Sequence, residues 1–245
     1  MLKDMPRDVV IASKQQHLKT HQQHTPESAL RDLAHMQPRP LYLDWEPAPT
    51  IIAHITRSQL YDPIGTAIAC LHYGADAIAF FTDHTVYGDA NADLNLMTSA
   101  IADAPVIDCN YLLDAYCVVE ARAAGASAIW TYSDMLPPEA LREVVSTAQR
   151  WKMPVYLQIT SETDLDLIDD LAPHVLCYEG DISELDDLRQ SVPSNYQIMP
   201  AQVCQARSEV ESAVQQPVAA VMVEAHLFED MRFVNWLAGL RGKSA

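Results

Sequence analysis

An excess of 33 acidic over 16 basic residues leaves this 245-residue chain with a formal charge of −17, which repels polyanions and argues against nucleic acid or an anionic membrane surface as a partner. Its five cysteines, Cys70, Cys109, Cys117, Cys177 and Cys204, are odd in number, widely spaced and free of CxxC pairs, as reduced thiols are and as zinc ribbons or disulfide frameworks are not. The N-terminus has no signal-like apolar core and no run is long enough to span a bilayer, so the expectation is a soluble cytoplasmic protein whose 49% hydrophobic residues can build a large core.

Residues 7–24 read as a helix with one apolar edge, Val9 to Ala12, followed by a polar stretch. A second helix is expected from Thr25, with Thr25 as its cap and Pro26 in the first turn, where a missing N–H is harmless. Leu30, Leu33 and Met36 recur at helical spacing. Pro38, Pro40, Pro47 and Pro49 make residues 37–50 an extended connector. From Ile51 onward apolar strand candidates begin near Ile51, Ala77, Pro105, Ala128, Val155, Val175, Gln197 and Ala219, about 20 to 28 residues apart. Helix starts are expected at Asp62-Pro63, Leu136-Pro137-Pro138, Ser161 and Ser183, with Gly74 and Gly125 as left-handed caps. Eight strand-helix units predict a (βα)8 TIM barrel over residues 51–245, preceded by a helical extension and connector over 1–50. An open doubly wound sheet would carry a glycine-rich turn after its first strand, and Thr56 to Gln59 contains no glycine.

The stretch from Pro105 to Trp130 is the clearest of these units. The apolar run Pro105-Val106-Ile107 passes into Asp108-Cys109-Asn110, then into an amphipathic helix ending at Ala123-Ala124-Gly125, then into Ala128-Ile129-Trp130. Residues just past a strand's carboxyl end face the ligand in such barrels, which makes Asp108, Cys109 and Asn110 candidate site residues.

These segments resemble the indole-3-glycerol phosphate synthases of tryptophan biosynthesis. The resemblance is carried by Ile51-Ile52-Ala53-His54-Ile55-Thr56, by Gly74 to Asp83 with Tyr87-Gly88, and by Pro105-Val106-Ile107 with Leu113 to Tyr116 and Glu120-Ala121-Arg122-Ala123-Ala124-Gly125-Ala126. It implies a barrel with extra N-terminal helices and, for an active member, a carbon-carbon lyase. It also implies roles that the chain does not fill. The first-strand glutamate and lysine of the family are replaced by His54 and Thr56, the third-strand general-acid lysine by Cys109, and the fifth-strand glutamate by Gln158. The sixth-strand asparagine is replaced by Tyr178, and the seventh-strand S-E-S-G by Met199-Pro200-Ala201-Gln202. The eighth-strand phosphate cradle reads Val223-Glu224-Ala225-His226-Leu227-Phe228. A carboxylate at Glu224 about 4 Å from a phosphate would cost on the order of 4 kcal/mol, so a phosphate ligand is disfavoured.

Three chemical readings attach to these residues. Cys109 could be a nucleophile with His54 as its base, against the plainer role of a small core hydrophobe. His54, Asp108, Glu224 and His226 could hold a metal, although no HxH or HExxH spacing supports it; the preferred reading has such side chains bonding one another, with no metal or cofactor. His17, His21 and His24 share a helical face and read as a solvated stripe rather than a chelate, the acidic run from Glu162 to Asp170 as a solvated face that could dock a basic partner, and Trp236 with Phe233, Leu237 and Leu240 as core packing.

The leading expectation is thus a pseudoenzyme, a barrel that has lost the synthase reaction and serves as a binding, assembly or regulatory protein with a protein partner. Asp108, Asn110, Glu224 and His226 are its candidate ligand contacts. The alternatives are a repurposed enzyme at Cys109, His54, Asp108 and Glu224, which loses if Tyr178 and Met199 plug the mouth, and an active synthase drawing on Arg57 or Lys152.

Overall fold

The computed structural model describes residues 7–45, 49–56, 62–83, 91–160 and 165–242. Arg57, Tyr87-Gly88, Pro47 and the helix start at Ser161 lie outside them. The strands are β1 Thr50–Thr56, β2 Ala77–Phe81, β3 Val106–Asp108, β4 Ala128–Tyr132, β5 Val155–Ile159, β6 Val175–Tyr178, β7 Gln197–Pro200, β8 Val203–Cys204 and β9 Ala220–Glu224. All ladders are parallel, in the order β7-β6-β5-β4-β3-β2-β1-β9-β8. The barrel closes between β7 and β9, where the Ala219 N–H, directly before β9, donates to the Ile198 carbonyl of β7 at 2.8 Å. The expected barrel is therefore present, with its seventh strand divided into β7 against β6 and β8 against β9. Pro200, which has no N–H to donate, stands at the break.

The helices are α1 Arg7–His24, α2 Glu27–Met36, α3 Pro63–His72, α4 Asn91–Ala100, α5 Ala115–Ala123, α6 Pro138–Arg150, α7 Leu165–Leu171, α8 Leu185–Ser191, α9 Arg207–Ala213 and α10 Met231–Leu240. Asp62 caps α3 as expected, its carboxylate accepting the Gly65 N–H at 2.9 Å. Thr25 does not cap α2: Pro26 takes that position with no side-chain bond, and the Thr25 carbonyl instead accepts the Tyr116 hydroxyl. Ser183 lies in a 3-10 turn, Ile182–Glu184, and Glu184 is the residue before α8. Trp236 packs on Phe233 at 5.8 Å and under the Arg207 guanidinium. Among the described residues no helix is long and apolar enough to cross a membrane.

Strand side chains alternate between two cores. One set, including Ile52, Phe81, Ile107, Trp130, Tyr156 and Met199, fills the barrel lumen. The other, including Ile51, Phe80, Val106, Ile129, Val155 and Leu176, packs against the helices. Alanines at 77, 79, 128 and 220 line the lumen and leave room for the Trp130 and Tyr156 rings, which stack at 6.1 Å and 13°.

The stripe on α1 departs from expectation. His21 is not merely solvated: its Nε2 reaches Glu120 on α5 at 2.7 Å while its ring stacks on His17. His24 turns back to the Thr20 carbonyl, so the three rings do not converge. The connector is tied to the same region, with Arg122 donating to the carbonyls of Ala126 and Pro38 and Gln37 to that of Ala123.

Gly74 and Gly125 have φ of +109° and +93°. At Gly125 a Cβ would stand 2.5 Å from Thr98 Oγ1, and that hydroxyl is held by the Ala124 carbonyl at 2.6 Å. Both the backbone and the space call for glycine. Gly125→Ala is expected to lower the unfolding free energy by about 1–3 kcal/mol, read from urea denaturation, with the fold retained.

Candidate functional site

The carboxyl ends of β1, β5, β6 and β9 surround a cleft of about 520 Å³. His54 and Glu224 are register partners on the neighbouring strands β1 and β9. That register brings His54 Nδ1 to 3.1 Å from Glu224 Oε2, with both side chains partly exposed to the cleft. Across it, the Trp130 indole N–H donates to Gln158 Oε1 at 3.0 Å and Gln158 Nε2 donates to Glu179 at 2.5 Å. A carboxamide suits this place because it can accept from one neighbour and donate to the other; a carboxylate here would face the carboxylate of Glu179. Glu209 also lines the cleft, but its carboxylate is engaged by the Gln205 and Ala206 N–H groups ahead of α9.

Other candidates are placed elsewhere. Cys109 points into the lumen, 5% exposed, beside the Trp130 and Tyr156 layer. Burial, followed by the neighbouring charge of Asp108, holds its thiol well above the ordinary range, and His54 Nδ1 is occupied by Glu224. A protonated, packed thiol is a core hydrophobe, not an activated nucleophile. Asp108 is one residue away and so faces the helix layer instead of the mouth; its register partners Phe80 and Ile129 belong to that layer. Asn110 is also buried, its Oδ1 accepting the Thr82 N–H at 2.8 Å while its own N–H donates to Asp108.

The same parity corrects Tyr178. Its ring packs in the outer layer and its hydroxyl donates to Glu184 at 2.7 Å, and Glu179, the residue just past β6, meets the cleft instead. Met199 does fill the lumen, but Tyr178 does not join it. Thr56 is half-buried at the end of β1 and does not line the cleft. His226 is exposed on the 3-10 turn Ala225–Glu229, also outside it. Asp108, His54, Glu224 and His226 therefore do not converge. Among the described residues no three His, Cys, Asp or Glu side chains could share a metal ion.

Two residues that the sequence reading passed over stand at the opposite side of the mouth. Lys14 of α1 reaches Asp83, just past β2, at 2.6 Å, and both are buried. Asp83 also accepts the Tyr111 N–H at 3.0 Å. The available signal was spacing: Val10, Lys14 and Leu18 lie four apart and form the buried edge of α1. Glu179 could have been found by counting β6 inward from Cys177.

Burial raises Asp108 from the usual 3.8 to about 7, against the lowering effect of the Asn110 N–H and Lys14. Between about pH 4 and pH 7 the folded protein thus keeps a proton that the unfolded chain has lost, and stability from this group falls as pH rises through that window. Asp108→Asn has no such proton to lose and retains the acceptor for Asn110. Urea titrations should show it more stable than the parent at pH 8, on the order of 2 kcal/mol, with the difference shrinking toward pH 4.

Comparison with known proteins fits this geometry. The family model for indole-3-glycerol phosphate synthase matches residues 56–230. The synthase of Dichelobacter nodosus is 29% identical over 136 residues, 52% of this chain and 50% of that protein. The Salinibacter ruber synthase is 24% identical over 180 residues, 66% of this chain and 64% of the relative. The matched segments thus span half to just under two-thirds of these relatives. Among solved structures, the 3-keto-L-gulonate-6-phosphate decarboxylase of Vibrio cholerae superposes with a TM-score of 0.63 at 13% identity, covering 79% of this chain and 96% of the other, a likeness of fold. With the family match running through most of the barrel, the chain belongs to the indole-3-glycerol phosphate synthase family.

Proposed function

We propose that this chain keeps the family's barrel without its reaction and works as a non-catalytic binding, assembly or regulatory protein, soluble in the cytoplasm and acting through a protein partner. The observation that carries this reading is the state of the third strand. Where the resemblance expects a general-acid lysine, Cys109 is packed in the lumen with its thiol protonated. The other lysines among the described residues do not replace it: Lys14 is committed to Asp83, Lys19 is exposed on α1, and Lys152 precedes β5 at the barrel's opposite end. Proton transfer needs a group within hydrogen-bond reach of the reacting atom, and the described mouth offers His54 paired with Glu224 and a neutral Gln158 bonded on both sides.

Electrostatics support the same reading. Among the described residues, the cleft presents Glu179, Glu209 and Glu224 against one imidazole, an arrangement that repels a phosphate instead of cradling one. The repurposed-enzyme reading requires Cys109, His54, Asp108 and Glu224 to act together, and of these His54 and Glu224 meet. An active synthase is favoured by the relatives' shared name, and is the reading that experiment must separate from ours.

Purified protein assayed for indole-3-glycerol phosphate formation should show no turnover above a buffer blank. Calorimetric titration with indole-3-glycerol phosphate should show no saturable heat at millimolar concentration. Measurable turnover would overturn the proposal, and saturable binding without turnover would remove its electrostatic support.

A further inference from the structure

A lysine in the middle of a helix's buried edge is costly, because its ammonium leaves water and regains little unless a carboxylate meets it. On α1 the buried edge consists of Val10, Lys14 and Leu18. An apolar residue at 14 would complete that edge, yet the chain places a charge there and answers it with Asp83, 0% exposed, at 2.6 Å. A buried pair of this sort adds little net stability, but removal of either partner is severe, so it acts as a latch more than as glue. Val10 and Leu18, one turn to either side, are packed in the core with Ile11 against it, and the remaining contacts near the end of α1 are polar. His21 meets Glu120 at 2.7 Å, Gln22 meets Asp114 at 3.2 Å, and the Tyr116 hydroxyl reaches the Thr25 carbonyl at 2.9 Å.

We propose that α1 is a releasable strap across the tips of β2 and β3, latched by the Lys14–Asp83 pair. The latch sits at the mouth on the side away from the acid-lined cleft, since Asp83 follows β2 and no described residue of β2 or of the turn after it lines that cleft. Release uncovers the start of α5, where Cys117, 2% exposed, lies within electrostatic reach of Lys14. The strap therefore gates one half of the barrel mouth, whether or not any reaction survives in the other half.

Amide hydrogen exchange, read by peptide on the full chain, tests this with three variants: Lys14→Met, Asp83→Asn and the double variant. Each single substitution leaves one buried charge without its counterpart. Protection in α1 should then fall by about a hundredfold, with β4, β5 and β6 unchanged and Cys117 newly open to alkylation. The double variant removes both charges together and should restore α1 protection to within about tenfold of the parent. Unchanged protection of α1 in both single variants would overturn the proposal. So would loss of protection in β4 to β6 alongside α1, which would make the pair a brace of the whole barrel. A double variant as loose as the singles would also overturn it, because the pairing would then not be what holds the helix.

Discussion

The closed parallel barrel imposes one constraint from which the rest follows: each strand is buried on both faces, and a side chain's parity decides which of two cores it enters. Adjacent residues thus have unrelated fates. Asp108 and Cys109 are neighbours in the chain, yet one joins the helix layer beside Lys14 and the other the lumen beside Tyr156. Tyr178 and Glu179 divide in the same way. Only residues that combine lumen parity with a position past the packed layer of Trp130 and Tyr156 can meet a ligand, and His54, Gln158 and Glu224 satisfy both conditions.

Packing and electrostatics are coupled at that boundary. The alanines low in the barrel make space for two stacked aromatic rings, and the indole N–H of Trp130, which must find an acceptor when buried, finds Gln158. Gln158 in turn orders Glu179. The position implied by resemblance for a catalytic carboxylate has thus become part of a hydrogen-bond chain that begins in the core. A carboxylate there could still accept from the indole, but it would have no proton for Glu179 near neutral pH, and two like charges would face each other across a short gap.

Much of the fold was legible in the sequence because strand spacing and apolar runs are local signals. The eight strand starts, the Asp62 cap and the positive-φ glycines at 74 and 125 are read within a few residues of chain. The split at Pro200 was not legible, since its effect depends on which neighbour each half of the strand finds. The site was less legible than the fold. Asp108 and Asn110 were assigned to the mouth by their place after an apolar run, when parity counted from Ile107 would have sent Asp108 outward. The resemblance places His226 in the segment of the eighth-strand phosphate cradle, but the 3-10 turn leaves it exposed to solvent. The His54 and Glu224 pairing needed the register between the first and last strands, 170 residues apart in sequence, and the expectation that such side chains would bond one another is met there.

Two hydrogen-bonded pairs among the described residues of the mouth are built on different physical terms, and that difference separates their roles. The His54–Glu224 pair is partly exposed, so water screens it and either partner can turn toward a ligand at modest cost. The Lys14–Asp83 pair has neither freedom: both groups are out of water, and Asp83 is fixed further by the Tyr111 N–H. One pair is therefore available for recognition and the other for holding an element in place. The two halves of the mouth differ accordingly: one side is filled by a helix that the chain itself supplies, while the other is an acid-lined cleft.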